Sequence, residues 1–147
     1  MADYTPVYVP GRVITLTASA AVSGGDLLAI TNSGTVAKAA VPGAGVAPGP
    51  IVGVAESDTP QNGRVTVFAR GIVHESVAQG TVTAGQYVTA PQNGATAGAQ
   101  VQSLAGQDVG ATPSQTSINL ALADALSVIG IALTTATNPN KVRWMEI

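Results

Sequence analysis

The chain contains no cysteine, which excludes disulfides, thiolate metal centres and thiol nucleophiles together and suits a reducing cytoplasm. Charge is scarce as well. Only 10% of the 147 residues are charged, against about 25% in an average soluble domain. Six basic residues face eight acidic ones, for a net charge of −2, so no basic footprint exists to neutralise phosphates, and nucleic acid is not an expected partner. Aromatic residues amount to 3%, fewer than a stacking platform for sugars or bases needs. No apolar run approaches the roughly 20 residues of a membrane-spanning helix. The mean hydropathy of +0.32 comes from Ala and Val scattered among Gly, Pro, Ser and Thr, and no membrane association is expected. The opening MADYTPVYVPGR has an acid at Asp3, a proline at Pro6 and no basic n-region, so it does not read as a signal peptide.

What the sequence does contain is a duplication. At an offset of 60, GRVITLTASAAVSGGDLLAITNSG (11–34) aligns without a gap on GIVHESVAQGTVTAGQYVTAPQNG (71–94). Gly11, Val13, Ala18, Val22, Gly25 and Gly34 meet Gly71, Val73, Ala78, Val82, Gly85 and Gly94. Further on, IVGVAESDTPQNGRVTVF (51–68) aligns on VIGIALTTATNPNKVRWM (128–145) at an offset of 77, pairing Gly53 with Gly130 and Val65 with Val142. The change of offset places about 17 extra residues between 94 and 128 of the second copy. Two copies are too few for a solenoid. The chain therefore divides into an arm at 1–10 and one β domain at 11–147, with repeat 1 at about 11–68 and repeat 2 at about 71–145.

The repeats read as strands. RVITLTA, DLLAI, IVGVA, RVTVFA, GIVHESVA, QYVTA, VIGIAL and KVRWMEI are short, rich in Val, Ile and Thr, and bounded by turn residues. Gly24-Gly25, Asn62-Gly63, Asn93-Gly94 and Asn138-Pro139-Asn140 supply residues that tolerate the backbone of tight turns. The expected fold is all-β, a small barrel or sandwich built from two pseudo-repeats. One short helix is admitted at SINLALADALSV (117–128), where a strand through Ile118, Leu120 and Leu122 fits nearly as well. VPGAGVAPGPI (41–51) reads as an extended loop.

Residues with chemistry are few. The lone His74 stands beside Glu75, but adjacent strand residues point to opposite faces, so the two do not form a catalytic pair and His74 is read as structural or surface. Glu56 and Asp58 sit at spacing i, i+2, which would place both carboxylates on one face of a strand. With few oxygen ligands nearby, they read as a solvated edge and not as a calcium site. GAGVAPG (43–49) lacks the Lys-Ser/Thr of a phosphate-binding loop. No catalytic residue, cofactor or metal is expected.

The elements G-x-V-x-x-x-x-A, V-x-x-G-D/Q and N-G-R-V-x-V-x-x-x-G, in that order and duplicated, resemble the small tailed-phage proteins described as capsid cement or head decoration proteins. The resemblance covers about Gly11 to Met145. It implies a non-enzymatic virion protein that binds the outer surface of the expanded head and stabilises it, assembled in the bacterial cytoplasm. Its implied partner is the major capsid protein, and its implied form a homo-oligomer, with a trimer favoured. The low charge fits apolar surface covered by a partner. The alternative function is a β-rich surface-binding module, for example for carbohydrate. Candidate interface residues are Tyr4, Val7 and Tyr8, in an arm that proline keeps extended for strand addition, the repeat-equivalent cations Arg64 and Lys141, and Trp144, for which a place in the core is an equal expectation.

Overall fold

The computed structural model of the protein describes residues 12–39, 50–90, 99–104, 115 and 127–147. The arm at 1–10, the Pro/Gly-rich loop up to residue 49 and the candidate helix up to residue 126 lie outside the described residues. Strands β1 (Arg12–Ala18), β2 (Leu27–Asn32), β3 (Thr35–Lys38), β4 (Ile51–Ala55) and β5 (Arg64–Ala69) belong to the first repeat. Strands β6 (Val73–Gln79), β7 (Thr81–Val82), β8 (Tyr87–Thr89), β9 (Gln100–Ser103), β10 (Val128–Ala132), β11 (Ala136–Thr137) and β12 (Lys141–Glu146) belong to the second. Among the described residues no helix is long and apolar enough to cross a membrane.

The protein is all-β and built from two like halves, and each half closes on itself. The first forms a barrel in the order β1-β3-β2-β4-β5 and the second a barrel in the order β10-β12-β6-β9-β8, which is the same cyclic order. Closure is local because β1 pairs in parallel with β3 on one side and antiparallel with β5 on the other, as β6 does with β9 and β12. Every edge then finds its partner within its own repeat, which leaves none for the other half to complete. A two-stranded ribbon of β7 and β11 adjoins the second barrel, and a single bridge from Val22 to Thr59 occupies the corresponding place in the first.

The register is reproduced down to its irregularities. Val36 faces Ala18, and Val101 faces Ala78. The offset at this strand is therefore 65, with five of the inserted residues before β9 and twelve after it. The stretch 94–128, read from sequence as insertion, thus contains a core strand. TVAK and QVQS carry one large apolar residue each, too little for a period to show. The last residue of the candidate helix, Val128, instead begins β10.

Seven core positions correspond one to one. Ala18, Val22, Leu28, Val36, Ala55, Val65 and Val67 fill the first barrel, and Ala78, Val82, Val88, Val101, Ala132, Val142 and Trp144 take those places in the second. Both barrels carry a bulge in the strand that opens their second half, at Val52 in β4 and Ile129 in β10, and each bulge is followed by a glycine. A Cβ on Gly53 would overlap the carbonyl oxygen of Phe68 and stand 2.8 Å from Val67 Cγ1, while one on Gly130 would overlap the carbonyl oxygen of Met145 and stand 2.6 Å from Trp144 Cε3. The bulge draws the two backbones closer than any side chain permits. Gly53→Ala and Gly130→Ala are each expected to lower stability by about 3 kcal/mol through overpacking against main chain. Equilibrium urea unfolding checks this, and a loss under about 1 kcal/mol at either site would contradict it.

Candidate interaction surface

Most of the polar residues singled out in the sequence serve the scaffold. Side chains of β6 alternate inward and outward, so His74 points into the second barrel and is fully buried. Its Nε2 lies 3.4 Å from Glu146 Oε2, and its ring lies 4.9 Å from that of Trp144 at 37°. Glu75 faces the other way, where its Oε1 accepts a 2.8 Å hydrogen bond from Arg143 Nε. The two neighbours occupy opposite faces, as strand geometry requires.

Asp58 is engaged by the turn after the first strand. Its Oδ1 accepts a 2.8 Å bond from the amide of Gly24, and the equivalent amide of Ala84 donates 3.1 Å to Thr135 Oγ1. Within the same turn Ser23 N donates to Asp26 Oδ2, and Thr83 N donates to Gln86 Oε1, each at 2.8 Å. Carboxylate in one copy and neutral oxygen in the other do the same work, so the acid at 58 answers a backbone donor and needs no cation. Asp26 pairs with Lys38 at 3.0 Å. Among the described residues no cluster of three or more His, Asp or Glu side chains could hold a metal ion.

Three of the candidate interface residues, Arg64, Lys141 and Trp144, are among the described residues. Tyr4, Val7 and Tyr8 lie outside the described residues. Arg64 and Lys141 are exposed at the equivalent first positions of β5 and β12, one on each barrel. Lys141 borders a hollow of about 160 Å³ that Asp26 and Glu75 also line. Trp144 belongs to the core. It is 1% exposed, and its Nε1 donates a 3.0 Å bond to Ser76 Oγ. Where the first barrel has Leu16 and Val67, the second has Ser76 and Trp144, a small residue beside a large one, so the indole fills space that its neighbour vacates. It is not a surface anchor of this chain.

A recess lies between the repeats, at the mouth of the first barrel. It is a groove of about 490 Å³ whose floor includes Ile14, Ile51, Val52 and Ala69, facing Val128, Ile129 and Ile147 of the second repeat, with Arg12, Arg70 and Glu146 at its rim. Glu146 is engaged with His74. Ile14 is 42% and Ile147 46% exposed. The sequence did not single these residues out, since each strand looks complete when read alone. The usable signal was the difference between the copies: Arg12 and Arg70 stand where the second repeat has Ile72 and Ile147.

No protein-family profile matches the chain, and no curated protein matches it. Among solved structures it is similar to the N-terminal base of the head fiber gp8.5 of bacteriophage phi29, with a TM-score of 0.53 and 15% identity, over 92% of this chain and 93% of that one. At that identity the likeness is one of fold. It is nevertheless end to end, and so embraces both barrels.

Replacing Trp144 by Ala is expected to lower unfolding free energy by about 3 to 5 kcal/mol, as for large-to-small changes in a packed core. Denaturation followed by circular dichroism measures it. A variant as stable as the parent would return Trp144 to the list of interface residues.

Proposed function

We propose that the protein is a non-enzymatic component of a tailed-phage head that binds the outside of the capsid shell and stabilises the expanded lattice. The observation that carries this reading is the end-to-end match in fold to the base of a phage head fiber, covering 92% of this chain and 93% of the other. The resemblance of the duplicated turn-and-strand elements to cement proteins supports it from an independent direction. The single histidine supports the non-enzymatic part, because its ring is fully buried and lies against Glu146 and Trp144, where no substrate reaches it.

The mechanism is one of linkage. A protein that binds the assembled, expanded shell and not its separated subunits lowers the free energy of that shell by its differential affinity. The partner is the major capsid protein, and the site of action is the exterior of the virion. Purified expanded heads of its own phage, stripped of the protein, are expected to bind the added chain to saturation in a sedimentation assay and then to resist heat-induced DNA release at higher temperature. Failure of the intact chain to co-sediment with such heads would end this reading.

A further inference from the structure

The two repeats share their register, yet equivalent surfaces on them are treated differently. On the outside of the first barrel, cross-strand pairing places Leu27 beside Val54, Val54 beside Phe68 and Phe68 beside Val13. On the second barrel the equivalent row is Tyr87, Ile131, Met145 and Val73, in the same register. In the first row Val13, at one end, is 49% exposed, whereas Leu27, Val54 and Phe68 are 1%, 0% and 6% exposed. They are covered by the second barrel: Leu27 and Val54 belong to its hydrophobic cluster and not to that of the barrel they come from, and the Phe68 ring meets His74 at 6.5 Å. In the second row Tyr87 is 53% and Met145 36% exposed, and among the described residues no barrel covers them.

The receiving surface shows the same asymmetry. At the mouth of the second barrel the inward positions His74, Ala90 and Ile129 are 0%, 1% and 7% exposed. At the mouth of the first barrel their equivalents are Ile14 and Ile30, each 42% exposed, and the half-buried Val52. The contact within the chain is therefore heterologous, outer row of one barrel on mouth of the next, and among the described residues one row and one mouth stay more exposed than their counterparts, the mouth flanked on one side by Val128, Ile129 and Ile147 of the second repeat.

We propose that these two free surfaces meet between copies of this chain, the row Val73, Tyr87, Ile131 and Met145 of one copy seating on the mouth formed by Ile14, Ile30 and Val52 of the next. The occupant is a second copy because the complement already exists within the molecule, and the contact between chains continues the one between repeats. A heterologous contact of this kind closes into a ring or extends into a fibre, according to the rotation it imposes. The residues that differ from the internal contact differ compatibly. The row gains a phenol at Tyr87 where the internal row has Leu27, and the mouth gains guanidinium groups at Arg12 and Arg70 where the internal mouth has Ile72 and Ile147. Guanidinium groups stack favourably on tyrosine faces.

The association needs no shell, so its test is independent of the capsid reading. Sedimentation of the full chain over a concentration series is expected to show masses above one chain. Tyr87→Asp, which spoils the row, and Ile14→Asp, which spoils the mouth, each raise the dissociation constant at least about tenfold, the scale of one interface hot spot. Gln61→Glu, in the exposed turn between β4 and β5, leaves it unchanged. Mixing the row variant with the mouth variant restores one intact contact and yields a dimer that grows no further. Trp144 emission reports whether each variant is folded, and Tyr87→Ser or Ile14→Ser replaces any that is not. A wild-type chain of single mass throughout overturns the proposal, as does equal weakening by Gln61→Glu or a mixture that stays monomeric.

Discussion

A five-stranded barrel made from so few residues is narrow, and its wall closes long before its ends do. The interior of each one here accommodates seven core side chains, most of them Val or Ala, and the last inward positions stand at an open mouth. Those positions are apolar because the strand alternation that fills the interior continues to the strand ends. Something must cover them or they remain in contact with water. In the second barrel the covering element is the outer row of the first, and this contact makes two closed barrels into a single body with a continuous apolar cluster across the junction.

That contact explains how the two copies have diverged. The inward triad Ile14, Leu16 and Val67 of the first barrel corresponds to His74, Ser76 and Trp144 in the second. The second barrel, capped by Phe68 and its neighbours, can hold a buried imidazole, a hydroxyl and an indole, because each polar atom finds a partner inside: His74 with Glu146 and Trp144 with Ser76. Burying polar groups demands such pairing. In the first barrel the equivalent positions Ile14, Leu16 and Val67 are aliphatic and need no such partners. At the turns the copies differ between Asp58 and Thr135 and between the buried Asp26 and the exposed Gln86, with the backbone hydrogen bonds kept.

A surface built this way suits an assembly component. The charge that would keep a small domain solitary is sparse, the ion pairs are local ones such as Asp26 with Lys38 and Glu75 with Arg143, and exposed apolar side chains include Tyr87 and Met145 on one row and Ile14 and Ile30 at one mouth. The proposed binding to a lattice and the proposed association with like copies would draw on the same property: apolar area that the fold itself leaves uncovered.

The amino-acid sequence alone determined the all-β class, the duplication, the placement of most strands and the opposite orientation of His74 and Glu75. These depend on short-range physics: β-branched composition, a period of two, and the turn preferences of Gly and Asn. Strands β3 and β9 escaped because four residues with one large apolar side chain each carry no readable period, and their place is fixed by parallel pairing with a strand far away in sequence. Only the tertiary structure decided that each repeat closes separately and that Trp144 is core. It also decided that Leu27, Val54 and Phe68 are buried while Tyr87 and Met145 are exposed. The local sequences of the two rows are alike, and what separates them is the neighbour that happens to lie across the junction.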